Sequence, residues 1–514
     1  MPTALSSTDA PIRPRTEFAW WRPVRDVGFL LQFRAAAVRR RSAFRWSALL
    51  LLVITVVVSI VPAYVPADDN RRLEVAVLMP TAMAGIFAIS IISAIASGGG
   101  RELISREQGV AFPVSPTTDH LGALLLAPLN IAWLIQAWVL LGASAYGALP
   151  ARLFTAQTVI LLWLALATAA AQVIAWTVEA IRRRMHGILA MRVVLAALAA
   201  VALWIQLTGR TTETLDQIPT LWLWIAGIGG FKVGWFAALL LELLLFVCLV
   251  ILGAIPANLA ARRLPHDELR AETDTHVPRP MPWTDLSALL RIDRASVWRA
   301  VPMRRGMAVL AIGPGLVAVV GGLPWSSITV LPGLVVSGGA LLFGVNAWCL
   351  DGRGLLWREN LPVDPGLVFT VRALVIAEFL AIASLVTILL ASIRAGAPTT
   401  AELTALACTV LVVTVQVVGA SMRWSDQRPY AVDLRSARAT PAPPVMMVGY
   451  SARLALSTTF TGLLFSGLSR LPDPTISLLV AVPCLAWSTM RLLRSRRRWT
   501  DPVERARIVT TVAA

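Results

Sequence analysis

Charged residues that recur in a fixed spacing are the first feature of this sequence that could do chemistry. Residues 100–107 read Gly-Arg-Glu-Leu-Ile-Ser-Arg-Glu, and residues 352–359 read Gly-Arg-Gly-Leu-Leu-Trp-Arg-Glu. Glu102 and Arg106, four residues apart, can pair on one face of a short helix. The prolines that follow each run end such a helix. We therefore predict two charged contact loops, whose candidate residues are Arg101, Glu102, Arg106, Glu107, Arg353, Arg358 and Glu359.

The two loops belong to an internal repeat of about half the chain. Arg106 and Arg358 lie 252 positions apart, and Pro113 and Pro362 lie 249 apart. The shared pattern is Gly-Arg-x-Leu-x-x-Arg-Glu, then an apolar residue and Pro-Val-(Ser or Asp)-Pro, which chance explains poorly. One copy alone would be an ordinary turn, whereas two copies with the same spacing indicate a shared role.

Two acidic residues stand inside long apolar runs. Glu242 lies in Leu-Glu-Leu-Leu-Leu-Leu, and Glu378 lies in Ala-Glu-Phe-Leu. A charge inside a membrane is costly, so such residues are functional candidates by default. Either could face a pathway and attract a cationic or amphipathic substrate, or pair with Lys232 or Arg372. A structural hydrogen bond between helices, or a charge reaching out from a helix end, is an equally good interpretation.

The sequence carries no phosphate-binding loop and no cysteine or histidine pattern typical of a metal site. The single lysine, Lys232, lies between Phe231 and Val233 in an apolar run, so there is no Gly-Lys-(Ser/Thr) phosphate-binding loop. The four cysteines stand singly, without Cys-x-x-Cys spacing. His266 and His276 lie in a proline-rich, charged stretch, where a solvated linker is the better interpretation. We therefore predict that the chain has no cofactor of its own and cannot hydrolyse ATP by itself.

The elements that must position these residues are membrane helices. Of 514 residues, 57% are hydrophobic and 15% are charged, too few polar residues to cover a water-soluble fold. The apolar residues fall into runs of roughly 18 to 30, long enough for a helix to cross a hydrocarbon core. We predict an all-α integral membrane protein with about twelve transmembrane helices. The spans are placed near 48–65, 73–97, 119–146, 155–181, 188–207, 220–252, 307–325, 328–350, 366–393, 400–421, 446–468 and 473–493.

The distribution of positive charge predicts the orientation of the chain. With both termini in the cytoplasm, 37 of the 46 lysine and arginine residues fall in cytoplasmic segments and six in outside loops. Cytoplasmic loops of membrane proteins carry such an excess. The net charge of +17 is scattered over several loops, which argues against a nucleic-acid partner. The first 46 residues are polar and Arg-rich and lack the pattern of a cleaved signal peptide.

Two parallel six-helix repeats follow from the spans and the repeated loop. A basic amphipathic segment precedes the first span of each half, at about 24–45 and about 284–303. We predict that both are helices in the cytoplasmic membrane interface, with arginines toward acidic headgroups. Because six is even, the halves share one orientation, as in many transporters. The predicted parts are a first half at 1–253, a cytoplasmic linker at 254–283, a second half at 284–493 and a basic cytoplasmic tail at 494–514.

The first loop also carries Arg-Glu-Gln-Gly at 106–109 and Pro-Val-Ser at 113–115. Together with the layout of each half, these residues resemble the membrane-spanning subunit of type-2 ATP-binding cassette (ABC) exporters. In that family the loop between spans two and three forms a coupling helix, often with Arg-Glu-x-Gly and then Pro-(small apolar)-(Ser/Thr), that docks on a nucleotide-binding subunit. Only three residues separate Gly109 from Pro113, fewer than is usual, and the second copy lacks the glycine.

The resemblance implies a permease that exports a hydrophobic or amphipathic substrate, such as a drug, an antibiotic or a lipid. It implies two cytoplasmic ABC ATPase subunits per chain, which bind ATP and Mg and act on the spans through both charged loops. The expected location is a bacterial cytoplasmic membrane. The preference for arginine over lysine and the spans rich in Ala, Val and Leu are typical of a GC-rich, actinobacterium-like genome.

Two other function classes stay open. A secondary transporter of the major facilitator type also has twelve spans in two parallel halves, and Gly100-Arg-Glu-Leu loosely resembles its basic loop between spans two and three. The interfacial helices and the second Arg-Glu loop argue against it. A lipid-linked glycosyltransferase is the enzyme alternative, because Asp68-Asp69 stands in the first outside loop, where such enzymes place metal-binding acids. That loop is too short to hold a sugar-binding domain.

Overall fold

The chain is described here by a computed structural model, and all regular structure in its described ranges is helical. This agrees with the predicted all-α class. The described residues are 21–36, 41–66, 68–96, 114–129, 131–210, 213, 217–262, 280, 282–352, 354–431 and 444–513.

Within these ranges, seven helical stretches are long and apolar enough to cross a membrane. The prediction of a helical membrane protein is confirmed to that extent, and the count of twelve spans and the repeat of six stay predictions. The seven are Asp69–Ile95, Pro150–Arg182, Val233–Ala261, Trp325–Leu342, Pro365–Ala391, Thr400–Gln427 and Thr475–Thr500.

The first part of the chain is organised around one long helix. The helices are α1 (Arg22–Ala36), α2 (Arg41–Ile60), α3 (Asp69–Ala96), α4 (Pro116–Leu126), α5 (Ile131–Gly147), α6 (Leu153–Arg182), α7 (Gly187–Leu207), α8 (Thr220–Ile228), α9 (Val233–Leu252) and α10 (Ala254–Ala261). The central one is α6, against which α3, α8, α9 and α10 pack. It is apolar and buried on several faces, as expected of a helix enclosed by others.

Two predicted spans of the first part are interrupted, one of them at the cluster of Gly227, Gly229 and Gly230, where the length of the apolar run allows a break. The span 220–252 breaks between α8 and α9, where Gly230 has a φ of +79°, a conformation that glycine adopts without steric cost. The span 119–146 is divided between α4 and α5 by a 3-10 turn at Ala127–Leu129. Pro128 in that turn cannot donate a backbone hydrogen bond.

The second part of the chain packs as a bundle around a large apolar cluster. The helices are α11 (Asp285–Arg299), α12 (Val301–Gly321), α13 (Trp325–Ile328), α14 (Leu331–Phe343), α15 (Gly354–Glu359), α16 (Pro365–Ala391), α17 (Thr400–Gln427), α18 (Pro444–Leu468), α19 (Thr475–Thr500) and α20 (Pro502–Ala513).

Helix α16 projects beyond its neighbour α12. The two run parallel, because Thr387 donates to the carbonyl of Ala311 at 2.7 Å, and the register continues to Arg394 and Val319. This register places the start of α12, at Val301, beside residue 377. The first twelve residues of α16 therefore extend about 18 Å past the end of α12. They carry the second contact loop on that extension.

The amphipathic segments form helices, but their bounds differ from the prediction. The first, α1, ends at Ala36 and α2 begins at Arg41, with 37–40 outside the described residues. The second, α11, begins after Thr284, whose hydroxyl accepts from the backbone of Ser287. Their placement in a membrane interface stays a prediction.

Parts of the predicted linker and of the predicted tail are helical. Residues 254–261 form α10, which packs on α6, while 263–279 lie outside the described residues. Instead of a plain basic tail, α19 continues to Thr500 and α20 folds back onto α15.

Candidate functional site

The second contact loop is a short helix between two fixed ends. The 3-10 segment Gly344–Leu350 follows α14, and a turn with Gly352 at a φ of +49° leads into α15. At the other end, Asp364 caps α16 by accepting from the backbone N–H of Leu367 at 3.0 Å, with Pro365 in the first turn. An aspartate cap followed by proline is a strong signal for a helix start.

Four charged side chains connect this loop to α11 and α16 through ion pairs. We call them the arginine–aspartate cluster: Asp293, Asp351, Arg358 and Arg372. Arg358 Nη1 donates to Asp293 Oδ1 at 2.7 Å and to Asp351 Oδ2 at 3.1 Å. Arg372 donates to both carboxylate oxygens of Asp293, at 2.9 and 3.1 Å. It also donates to Asp351 Oδ2 and to the carbonyl of Ala347, both at 2.6 Å.

The arginine–aspartate cluster is almost closed to solvent. The side chains of Asp293 and Arg372 are 0% exposed, and those of Asp351 and Arg358 are 7% exposed. Two positive and two negative charges compensate each other, which buried ions require. Removing one partner from a buried pair leaves an uncompensated charge and costs about 3–5 kcal/mol. Because its members lie on α11, α15, α16 and the turn before α15, the cluster fixes these elements to one another.

An aromatic stack lies against the arginine–aspartate cluster. The Arg372 guanidinium sits 5.5 Å from the ring centroid of Trp348, and Trp348 stacks on Trp499 with centroids 3.8 Å apart and planes 10° apart. Trp499 Nε1 donates to the carbonyl of Pro365 at 3.0 Å, and Trp348 Nε1 donates to Asp426 Oδ1 at 3.2 Å. The stack therefore ties the ends of α17 and α19 to the start of α16.

The C-terminal helix α20 covers one side of the loop. Arg505 of α20 donates to the carboxylate of Glu359 at the end of α15. Arg507 donates to the carbonyl of Asp426 at 2.9 Å, which anchors α20 to α17 as well. Between α15 and α20 lies a shallow groove, lined by residues that include Leu355, Leu361, Val363, Trp499 and Arg505.

The residues predicted for the two loops are only partly described. Arg358 and Glu359, adjacent in the motif, point to different partners: Arg358 enters the arginine–aspartate cluster, and Glu359 faces α20. The two residues therefore do not act as one charged pair. Arg101, Glu102, Arg106, Glu107 and Arg353 lie outside the described residues.

The two acidic residues predicted inside spans have opposite surroundings. Glu378 on α16 is partly exposed, and its carboxylate accepts from Arg294 of α11 at 2.8 Å. Glu242 on α9 is 1% exposed, and neither carboxylate oxygen has a hydrogen-bond partner in the described part of the chain. Neither residue pairs with Arg372, which is held by Asp293 and Asp351.

Sequence reasoning missed most of the arginine–aspartate cluster. Asp293 could have been predicted as a buried, paired acid. It stands on the apolar face of α11 between Leu290 and Val297, where a lone acid needs a buried partner. Asp351 precedes the repeated motif directly, yet only the fold places it beside Arg372. In the described ranges, no three His, Cys, Asp or Glu side chains form a group that could hold a metal.

Comparisons with known proteins give no relative. No family model matches the chain, and no curated protein and no solved structure matches it. Its function must therefore be argued from its own residues.

Proposed function

We propose that this chain is the permease subunit of an ATP-driven ABC exporter, with ATP hydrolysed by separate subunits that dock on its contact loops. The observation that carries the proposal is the burial of Arg358 in the arginine–aspartate cluster. Through this residue, the loop helix α15 is bound to α11 and α16 by compensated ion pairs. A push on the loop is thus delivered to a helix long and apolar enough to cross the membrane.

The projection of α16 supports this role. A loop carried about 18 Å beyond the end of α12 acts as a lever on α16. The start of α16 is bound to α11 and α15 by buried ion pairs and to Trp499 by a hydrogen bond. These elements would move together, because packed interiors switch between discrete arrangements and do not deform continuously. Closure of two ATPase subunits on such loops would rotate α16 within its bundle. The predicted cytoplasmic orientation puts these loops on the side where ATP is found.

Apolar side chains on the outer surface of α15 favour a protein partner. Trp357 is 73% exposed and Leu356 is also exposed, although the loop lies beyond the apolar stretch of α16. Val503 on α20 is exposed as well. Exposed apolar side chains next to charged residues are typical of protein-binding surfaces, in which tryptophan is enriched.

We propose further that the substrate is hydrophobic or amphipathic and moves outward across a bacterial cytoplasmic membrane, with both termini in the cytoplasm. Two ATPase subunits, carrying ATP and Mg, would bind per chain, one at each contact loop. Only the second contact loop is described, and α20 packs on it. The ATPase subunit at this loop would therefore dock partly on the C-terminal helix. The two ATPase contacts would therefore be unequal.

Copurification from the native membrane tests the proposal. We expect the affinity-tagged chain to retain an ATPase, and Trp357→Ala to lower the retained ATP hydrolysis several-fold. The control is Trp487→Ala, which removes another exposed tryptophan, from α19, and should leave the hydrolysis unchanged. Recovery of the intact chain without any nucleotide-hydrolysing protein would contradict the proposal.

A further inference from the structure

Glu242 is the one acidic side chain of α9, and it faces inward from a helix that is mostly exposed. Leu240 and Leu244, its neighbours on the outer face, are 69% and 58% exposed, whereas Glu242 is 1% exposed. Trp235, Ala238 and Phe246 share its face and belong to the apolar cluster packed on α6. The carboxyl therefore lies between two helices and not at a lipid-facing or solvent-facing surface.

The depth of Glu242 follows from the contacts at both ends of its helix. At one end, Trp235 Nε1 donates to the carbonyl of Thr155 at 3.1 Å, and at the other, Arg183 donates to the carbonyl of Ala260 at 2.6 Å. Helix α9 and its continuation α10 thus run parallel to α6 across its length. Glu242 lies two turns, about 10 Å, inside Trp235 and about 27 Å from Ala260. It sits well within the stretch that is apolar enough to cross the membrane.

No cation compensates this carboxyl in the described part of the chain. Neither oxygen has a hydrogen-bond partner. Lys232 directly precedes α9, ten residues before Glu242 and about 15 Å away along the helix. Asp293, in contrast to Glu242, is a buried acid whose charge is compensated, because two arginines bind it. An ionised carboxylate without such partners is far too costly in an apolar interior.

We propose that Glu242 is a proton-binding site of the membrane domain, loaded while α9 packs on α6 and unloaded when the two helices separate. In the packed state the carboxyl holds its proton as a neutral acid. Separation of α9 from α6 lets water reach it. The O–H bond then breaks, the proton passes to water, and the carboxylate is left hydrated. Repacking requires that a proton return to the same oxygen.

This site goes beyond the proposed export function and does not rest on it. A helix pair whose closure takes up one proton closes less readily as the pH rises, whatever drives the motion. The chemical class of the ligand is a proton, because among the described residues the face of α9 that carries Glu242 packs in an apolar cluster and no polar group is bonded to the carboxyl.

Labelling with dicyclohexylcarbodiimide tests the site. This apolar reagent adds to protonated carboxyl groups, taking up their proton and leaving an N-acylurea on the side chain. The full chain in native membranes is treated at neutral pH, where an ordinary glutamate is ionised, and modified residues are mapped by mass spectrometry. We expect the adduct at Glu242. Glu378 is the matched control, since it lies in another membrane-length helix but is ion-paired with Arg294, and it should stay unmodified.

The Glu242→Gln variant separates a proton site from a packing role. Glutamine keeps the shape of the protonated acid, so the variant should fold as the wild type does but lose the adduct. It should also lose a carboxylic C=O band from the infrared difference spectrum against the wild type. Absence of the adduct and of the band in the wild type, or equal labelling of Glu242 and Glu378, would overturn the proposal.

Discussion

The two parts of the chain bury charge in opposite ways. In the second part, two aspartates and two arginines compensate each other in the arginine–aspartate cluster, through ion pairs of 2.6 to 3.1 Å. In the first part, Glu242 is equally buried and has no partner in the described residues. A compensated cluster fixes helices to one another, while a lone acid must change its protonation to tolerate the same burial. Burial of charge therefore indicates a rigid connection between helices at the arginine–aspartate cluster and a proton-binding site at Glu242.

The sequence repeat sharpens this contrast. The spacing that aligns Arg106 with Arg358 puts Gly99 opposite Asp351, and the spacing of the following prolines puts Ala123 opposite Arg372. The repeat thus keeps the arginine of the loop but not two of the side chains that bury it in the second half. The sequence therefore predicts that Arg106 has no counterparts of Asp351 and Arg372 to pair with.

The largest expected effect is that of Arg372→Gln. This change leaves Asp293 and Asp351 with a single arginine, and we expect the free energy of unfolding to fall by about 3–5 kcal/mol. Thermal unfolding in detergent, followed by the reaction of buried Cys349 with a thiol-reactive dye, measures it. An unfolding temperature equal to that of the wild type would show that the cluster does not hold the helices together.

A smaller loss is expected from Arg358→Met, because Arg358 donates two hydrogen bonds to the aspartates of the cluster, whereas Arg372 donates three and a fourth to the carbonyl of Ala347. We expect about 1.5–3 kcal/mol, the range for hydrogen bonds to charged groups. The paired control is Arg106→Met in the first loop, where Gly99 replaces the aspartate, and its effect on unfolding should be smaller. Equal losses in the two variants would contradict the difference in support between the halves.

The exposed pair of Arg294 and Glu378 should contribute little. Glu378→Gln removes an ion pair whose side chains are 49% and 35% exposed, and we expect a change of about 0–1 kcal/mol that decreases at high salt if the pair reaches water. Unfolding at low and high ionic strength measures it. A loss as large as that of Arg372→Gln would mean that the pair is shielded by lipid or by a partner chain.

The smallest effect on the free energy of unfolding is expected from Glu242→Gln. Glutamine also replaces the charged residue in Arg372→Gln, so the two variants can be compared directly. Because the carboxyl is neutral in the packed state and has no partner to lose among the described residues, the variant should unfold within about 0.5 kcal/mol of the wild type, a change as small as that of an ordinary surface substitution. Glu242→Ala should cost more, about 2 kcal/mol, through the cavity left between α9 and α6. Severe destabilisation by the glutamine variant would reveal a charged partner.

Much of the helical fold could be predicted, because apolar runs of membrane length are a strong local signal. The break at Gly230 has a signal in the sequence, because three glycines cluster in a run longer than one span needs, whereas at Pro128 hydropathy continues and only the missing N–H of proline marks the break. The basic residues of the tail predict only a charged cytoplasmic segment, whereas in the structure Arg505 pairs with Glu359 and α20 packs on α15.

Only the loop residues of the candidate site could be predicted from the sequence. The repeat identified Arg358, but its partner Asp293 lies 65 residues away, and Arg372 is 79 residues from the same aspartate. Contacts over such distances follow from helix packing, which one sequence does not specify. Glu242 could be found from its apolar neighbours, whereas the lack of a partner required the fold.

The stacked pair of Trp348 and Trp499 gives the protein an optical reporter of its own. Fluorescence would average over all 19 tryptophans, but two indoles with centroids 3.8 Å apart and nearly parallel planes couple their electronic transitions. Such coupling produces a paired band in circular dichroism whose sign and size follow the angle between the rings. Because one indole precedes the loop and the other ends α19, a twist between them can be followed without any attached dye.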